Sequence, residues 1–210
     1  MKLKKSVLTV IVVMIVVMFV VAMKAVLFYR QHSVRAQAWE LTPRAKGNPR
    51  AAVKVVEFTD FQCPACAKAV EVIDEIIKKY PNKIYFEHKY YPLPMHSFAK
   101  RASVYAECAA EQGKFWPFHD VLYRSQQSWV KMTTVEDYFS QLAVSLGIDG
   151  VRLSVCINNP LVLAKVDKDV AEAKKLGVIS TPTFFVNGKT AVGSANFKKE
   201  IENILGANVK

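Results

Sequence analysis

The polarity pattern divides the chain into three textures. Lys2, Lys4 and Lys5 lead into an apolar run over residues 7–23 that only Thr9 interrupts. Lys24 breaks the run, and residues 25–29 continue it as far as Arg30. Residues 7–29 together are about long enough to cross a hydrocarbon core of ~30 Å, with Lys24 near one end able to reach the headgroups. Residues 1–30 are therefore expected to form a transmembrane helix. Residues 31–50 are polar and basic, carry Pro43, Gly47 and Pro49, and read as a linker. From residue 51 onward, short apolar runs alternate with helical periodicity.

In that third part, residues 51–58 (AAVKVVEF) form a short Val-rich run, expected to be a buried strand. Cys66, Val70, Ile73, Ile77 and Tyr80 then recur at helical spacing until Pro81-Asn82 stops them. Residues 84–91 read as a second strand, ended by Pro92. Strand, helix and strand in ~40 residues make a βαβ unit with a right-handed crossover. Residues 95–176 are helical in texture. Ser97 is a candidate cap for a helix that Gly113 ends, and residues 115–125 form another with Pro117 in its first turn. Thr134 with Asp137 resembles a capping box. Residues 151–158 make a short helix stopped by Asn159-Pro160, and a longer one ends at Gly177. Residues 183–186 and 189–192 flank Asn187-Gly188, a hairpin turn signal, and Asn196 is a candidate cap for a last helix to Leu205.

Charge changes the picture less than its total suggests. The formal net charge is +11, but residues 1–50 hold nine Lys/Arg and one acid. Residues 51–210 are nearly balanced, without an Arg-rich face, so no nucleic-acid partner is expected. The lysines before the apolar run put the N-terminus in the cytoplasm and the bulk of the chain outside it. A cleaved signal peptide is the competing reading, but the one A-x-A, Ala36-Gln37-Ala38, lies too far past the run and follows Arg30 and Arg35.

Cysteine carries the chemistry. Cys63-Pro64-Ala65-Cys66 sits between a strand and a helix of a βαβ unit, where a redox dithiol belongs. Zinc would need a second knuckle, and Cys108 and Cys156 stand 48 apart, so no metal is expected. Cys63 lies at the helix start, where unpaired N–H groups and the dipole favour a thiolate. Cys66 is one turn in and should be buried, so Cys63 exchanges with substrate and Cys66 resolves the mixed disulfide. Pro64 suits a first helical turn. Glu57, in an otherwise apolar strand, is either an edge carboxylate facing water or a buried acid that trades a proton with Cys66. Cys108 and Cys156 are either buried free thiols or a structural disulfide, the latter worth roughly 4 kcal/mol in the loop-entropy picture. His88, His96, His119, Phe115, Trp116 and Phe118 read first as packing groups, with a minority reading of some aromatics as an apolar groove for a client. Ser180-Thr181-Pro182 precedes a strand, where proline is ordinary in either isomer.

The segments FTDFQCPAC, YYPLPMH, ECAAEQGKFWPFHD and GVISTPTFFVNGK, in that order, closely resemble the DsbA-like thiol:disulfide oxidoreductases. The resemblance covers about residues 51–206. It implies an α/β, thioredoxin-like fold, with a helical insertion at about 95–176 between the βαβ unit and a C-terminal ββα unit. It implies Cys63 as nucleophile, Cys66 as resolving thiol and Glu57 as buried acid. It further implies that Pro182 is a cis-proline facing the dithiol, and that Pro64, Ala65, Thr181 and Pro182 meet the substrate. The expected activity is disulfide formation in reduced, unfolded exported proteins. No cofactor is needed beyond the Cys63–Cys66 disulfide, and a membrane redox partner would reoxidise the dithiol. A reductase or isomerase in the same compartment and a non-catalytic chaperone are the alternatives. Several relatives carry His between the cysteines; here the dipeptide is Pro-Ala, which argues for an oxidant of intermediate strength.

Overall fold

The computed structural model describes residues 13–25 and 44–206. Residues 13–25 form a helix, α1, whose side chains are exposed. Among the described residues no helix is long and apolar enough to cross a membrane. The rest of the expected span, residues 7–12 and 26–29, lies outside them, as do linker residues 31–43.

The remainder is built on a five-stranded sheet of order β1-β3-β2-β4-β5. Its strands are β1 (Ala45–Gly47), β2 (Val53–Thr59), β3 (Ile84–Tyr90), β4 (Thr183–Val186) and β5 (Lys189–Val192). The first βαβ unit is as expected: β2 and β3 pair in parallel, Val53 opposite Ile84 through Thr59 opposite Tyr90. The crossover is α2 (Pro64–Lys79). It buries Cys66, Ala69, Ile73 and Ile76, with Val70 and Ile77 only half-buried, so its inward face is turned slightly from the one the spacing suggested. Each such isoleucine contributes about 1.5–3 kcal/mol. Ala69, Ile73 and Ile76 pack with Val53, Val55, Ile84 and Phe86 on one face of the sheet, together with Phe184 and with Phe197 and Ile201 of α9 (Gly193–Gly206), while Cys66 packs with the core of the insertion. On the opposite face, Phe58 packs with Ala173 of α8 (Pro160–Lys175) and with Val178.

The insertion holds α3 (Ala99–Ala110), α4 (Phe115–Arg124), α5 (Gln126–Trp129), α6 (Glu136–Ser145), α7 (Gly150–Cys156) and α8. Its core joins Phe115, Phe118, Leu122, Trp129 and Phe139 to Tyr105 and the Ala-rich α3. Trp116 is only partly buried. Cys108 and Cys156 are joined by a disulfide between α3 and α7, with Cα atoms 5.8 Å apart.

Asn187 and Gly188 both have positive φ, at 48° and 85°, as a two-residue type I′ turn requires. Several local signals behave differently from expectation. Ser97 and Thr134 are not caps: the residues before α3 and α6 are Phe98 and Val135, and neither makes a side-chain cap bond. Asn196 lies inside α9 and bonds back to the Val192 carbonyl, because Gly193 already starts that helix. Asn159-Pro160 starts α8 rather than only stopping α7; Asn159 accepts from Leu161 N–H and Pro160 takes the first helical position.

The linker expected over 31–50 is corrected at its C-terminal end. Residues 45–47 add an antiparallel strand to β3. Gly47, at φ 90°, comes so close to that strand that a Cβ there would lie 2.2 Å from the Ile84 carbonyl oxygen. Arg44 anchors the segment. Its guanidinium pairs with Asp169 and with Glu107 at 3.3 Å, and stacks over the Tyr90 ring at 4.5 Å. Desolvation by burial works against its charge, and the surrounding Tyr90, Asp169 and Glu107 more than offset it, so Arg44 stays firmly charged.

Candidate active site

The strand β2 ends at Thr59, and a tight turn over residues 60–62 delivers Cys63 to the N-cap of α2. Asp60 shapes that turn. It is fully buried, and its carboxylate accepts from Gln62 N–H, Leu93 N–H and His96 Nδ1, each at 2.7 Å. Its backbone carbonyl accepts from Cys63 N–H at 3.1 Å. Gln126 holds the other side: its side-chain amide donates to the Phe61 carbonyl at 2.8 Å and the Cys63 carbonyl at 3.0 Å. Cys63 is thus clamped through backbone groups from β2, the β3–α3 loop and α5.

Cys63 and Cys66 are both free thiols. The Cys63 thiol is lowered to about 5, first by a hydrogen bond from the Cys66 thiol, then by Thr181 and by the backbone N–H groups of Cys66 and Ala65, against a desolvation penalty. No acid lies in the first turn of α2, and Lys78 and Lys79 occupy its last, so the dipole is unopposed. Cys66 goes the other way: burial pushes its thiol well above 9, and the adjacent Cys63 and Glu57 charges add to this. The pair is a thiolate at the helix start and a thiol one turn in, both of them buried.

Thr181-Pro182 is a cis peptide, and Cys63 Sγ lies 3.5 Å from the Thr181 carbonyl oxygen. The structure therefore brings Cys63, Cys66, Thr181 and Pro182 to one place, with Pro64 and Ala65 exposed beside them. Glu57 is not an edge residue. It lies in the central strand β2, between His88 of β3 and Phe184 of β4, and is 2% exposed. Burial raises its carboxyl to about 8, against the Lys46 charge and a hydrogen bond from Thr59. The Cys108–Cys156 pair lies apart from this constellation, within the insertion. Among the described residues, no group of three or more His, Cys, Asp or Glu side chains could hold a metal ion.

A family model described as Thioredoxin matches residues 40–205. The chain belongs to the thioredoxin family. Among solved structures, this thioredoxin-family chain is similar to a thioredoxin-like oxidoreductase from Silicibacter pomeroyi, at 26% identity and TM-score 0.64, over 77% of this chain and 91% of that one. It is similar to oxidised BdbD from Bacillus subtilis at 25% identity and TM-score 0.67, over 76% and 91%. It shares the fold of alpha-DsbA1 from Wolbachia pipientis at 21% identity and TM-score 0.67, over 78% and 91%. Among curated proteins it is 31% identical over 149 residues to the Na(+)/H(+) antiporter NhaA of Herminiimonas arsenicoxydans. It is 34% identical over 154 residues to NhaA 1 of Salinispora arenicola. The chain covers 23% of each of these two proteins. Since the thioredoxin match takes in residues 40–205 of 210, aligned stretches of that length consist mostly of the thioredoxin domain.

Three features of this domain were invisible in the sequence. Gln126 bonds backbone 63 and 65 residues away, and nothing local marks it. The Asp60–His96 pair joins two of the quoted motifs, so its residues were in view but their contact was not. The Thr59 hydroxyl meets the Tyr123 hydroxyl at 2.9 Å from 64 residues away.

Proposed function

We propose that this domain is a thiol:disulfide oxidoreductase that forms disulfides in reduced exported proteins. The supporting observation is the opposed behaviour of the two thiols, Cys63 lowered to about 5 and Cys66 raised well above 9, beside the cis Thr181-Pro182 peptide. A client thiolate attacks Cys63 Sγ of the oxidised protein; the Cys63–Cys66 bond breaks and its electron pair passes to Cys66, which takes a proton. A second client thiolate attacks the client sulfur of the mixed disulfide, the client disulfide forms, and Cys63 leaves as a thiolate. Stabilising that thiolate favours the reduced enzyme and makes its disulfide an oxidant. Thr181, Pro182, Pro64 and Ala65 form the surface a client chain meets.

The reading places the domain outside the cytoplasm, held by the apolar segment 7–29, with a membrane redox partner to reoxidise the dithiol. The lysines before that segment and the disulfide between Cys108 and Cys156 support the placement. Mass or N-terminal sequencing of membrane-fraction protein tests the anchor; a mature start at Trp39 would refute it. Equilibration with glutathione, read by alkylation, tests the direction of the chemistry. The expected potential lies between that of thioredoxin at ~−270 mV and the oxidising extreme at ~−120 mV. A value at or below thioredoxin's would make the protein a reductase. Cys63→Ser is expected to abolish exchange; retained function in that variant would make the domain a chaperone.

A further inference from the structure

The turn that carries Cys63 is fastened to the loop between β3 and α3 at two points. At the first, the buried Asp60 carboxylate collects the Gln62 N–H from its own turn and the Leu93 N–H and His96 Nδ1 from the loop. At the second, the Gln62 side-chain carbonyl accepts the Phe98 N–H at 2.8 Å, one residue before α3. The loop is closed on itself by the His96 N–H on the Leu93 carbonyl at 3.0 Å and the Ala99 N–H on the His96 carbonyl at 3.2 Å. A carboxylate only accepts, so His96 Nδ1 carries the hydrogen of the bond to Asp60. Two of the three donors to Asp60 are main-chain groups, present whatever the side chain; His96 is the donor supplied by a side chain. That side chain is 20% exposed and follows Met95, which is 75% exposed, so it bridges a surface loop and a buried turn. At the other end of the turn, the Asp60 carbonyl takes the Cys63 N–H at 3.1 Å. The Cys63 carbonyl then takes N–H groups at the start of α2, from Cys66 at 3.1 Å and Ala67 at 3.2 Å.

We propose that His96, acting through Asp60, is a positioning residue that holds the Cys63 sulfur at the N-terminus of α2 and against the Thr181-Pro182 peptide. The proposal rests on the oxidoreductase reading above. The contacts run without a break: His96 Nδ1 to the Asp60 carboxylate, the Asp60 carbonyl to the Cys63 N–H, and Cys63 Sγ at 3.5 Å from the Thr181 carbonyl oxygen. A helix favours a thiolate only at its unpaired N–H end, and the effect fades within the first turn. A turn freed to shift takes the sulfur out of that field. The Cys63 thiolate then loses stability, and the Cys63–Cys66 disulfide becomes a weaker oxidant. Gln126 still holds the Phe61 and Cys63 carbonyls, and Gln62 still holds Phe98, so loss of His96 loosens the turn without dismantling it. The other ionisable groups around the turn are Cys66 of α2, Glu57 of β2 and Tyr123 of α4. Burial raises all three, so at neutral pH they mostly keep their protons and add little charge of their own.

The test reads the Cys63 sulfur directly. Reduced full-length protein is alkylated across the pH range, and the midpoint of Cys63 labelling, expected at about 5 in the wild type, is compared in His96→Ala and His96→Asn. Asn offers a side-chain N–H in place of the imidazole Nδ1–H, so it keeps the donor to Asp60 and discards the ring. His96→Ala is expected to raise the midpoint by about one unit. It should also make the protein roughly tenfold weaker as an oxidant in equilibrium with glutathione, or ~30 mV. His96→Asn should restore both. An unchanged midpoint and equilibrium in His96→Ala would overturn the proposal, and a lowered melting temperature beside them would leave His96 with packing alone. An Asn variant as impaired as the Ala variant would also overturn it, since a donor to Asp60 would then not be what matters. If the wild-type protein does not exchange with glutathione, the oxidoreductase reading fails, while the alkylation midpoints still decide whether His96 positions Cys63.

Discussion

Two buried polar clusters sit side by side on β3, and they are satisfied in opposite ways. At Tyr90 the cluster is saturated. Asp169 receives Arg44 and the Tyr90 N–H, the latter at 3.1 Å; Glu107 receives Arg44, Lys165 and the Tyr90 hydroxyl. At His88 the cluster is starved. The neighbouring Glu57 has a hydrogen bond from Thr59 and the influence of Lys46, which itself pairs with Asp74 at 3.1 Å, and His88 has no partner for either nitrogen. A buried carboxylate with several donors and a cation stays ionised and fastens structure. A buried carboxyl with one weak donor keeps its proton and can give it away. The difference between a carboxylate that fastens the fold and a carboxyl that keeps its proton is here a difference in partner count, two residues apart on one strand.

The largest expected effect comes from removing the titrating carboxyl of the starved cluster. Because burial raises Glu57 from 4.5 to about 8, the folded state binds a proton more tightly than the unfolded chain does. Unfolding then releases a proton, so this contribution to stability is fully present below about 4.5 and is lost as pH rises towards 8. Between pH 5 and 8 the loss is about 4 kcal/mol. Glu57→Gln should flatten that pH dependence, measured by urea unfolding of the reduced protein at each pH. An unchanged slope would mean the carboxyl is not the proton-binding group.

Breaking the saturated cluster should be nearly as costly but blind to pH. Arg44→Ala leaves Asp169 and Glu107 buried without their shared cation, a loss of about 3 kcal/mol. The drop in unfolding free energy should be the same at pH 6 and pH 8. Thiol exchange by the surviving folded protein should stay at the wild-type rate, since Arg44 touches nothing at the dithiol. A variant that loses exchange while keeping stability would show that the two clusters are coupled.

How much of this was legible in the sequence follows from how local each feature is. The Cys63–Cys66 turn, α2, β2, β3 and the Asn187-Gly188 hairpin are set by neighbouring residues, and their patterns read through. The three-residue β1 has no alternation to detect. It exists because Gly47 tolerates the approach to Ile84 and because Arg44 finds acids more than sixty positions away. Ser97, Thr134 and Asn196 are good capping residue types, but tertiary packing starts each helix at a different residue. Glu57 was conspicuous by its neighbours, but only the strand order shows that it is central rather than at an edge. The starved cluster as a whole was unreadable, since Thr59 and Tyr123 meet only when α4 packs against the sheet.

Gln126 offers a smaller test, because it supports the dithiol without carrying charge. Gln126→Ala leaves the Phe61 and Cys63 carbonyls without their donor, a loss of about 2 kcal/mol for two buried hydrogen bonds. Gln126→Glu keeps the size but offers acceptors to acceptors and should cost more. Thermal or urea unfolding of both variants, reduced and oxidised, checks the order; equal stability of the two would remove Gln126 from the clamp.

The smallest effect concerns the exposed end of the constellation. The Cys63 sulfur already has the Cys66 thiol, Thr181 and two backbone N–H groups lowering it to about 5. Its alkylation in the reduced protein should therefore stay fast as pH falls from 9 and decline only near pH 5, with Cys66 labelled far more slowly. Adding a cationic side chain at Ala65 tests whether those donors suffice. Ala65 is exposed, so an imidazole there would be screened by solvent. Its stabilisation of the thiolate should stay within about one pKa unit, or ~30 mV for a two-electron couple. Ala65→His is thus expected to raise the potential by about 30 mV or less, measured against glutathione, with the Glu57-dependent stability slope unchanged. A rise of about 100 mV would show that the backbone and Thr181 leave the Cys63 thiolate poorly held. The intermediate potential expected of Pro-Ala would then come from an unsupported sulfur rather than from a balanced one.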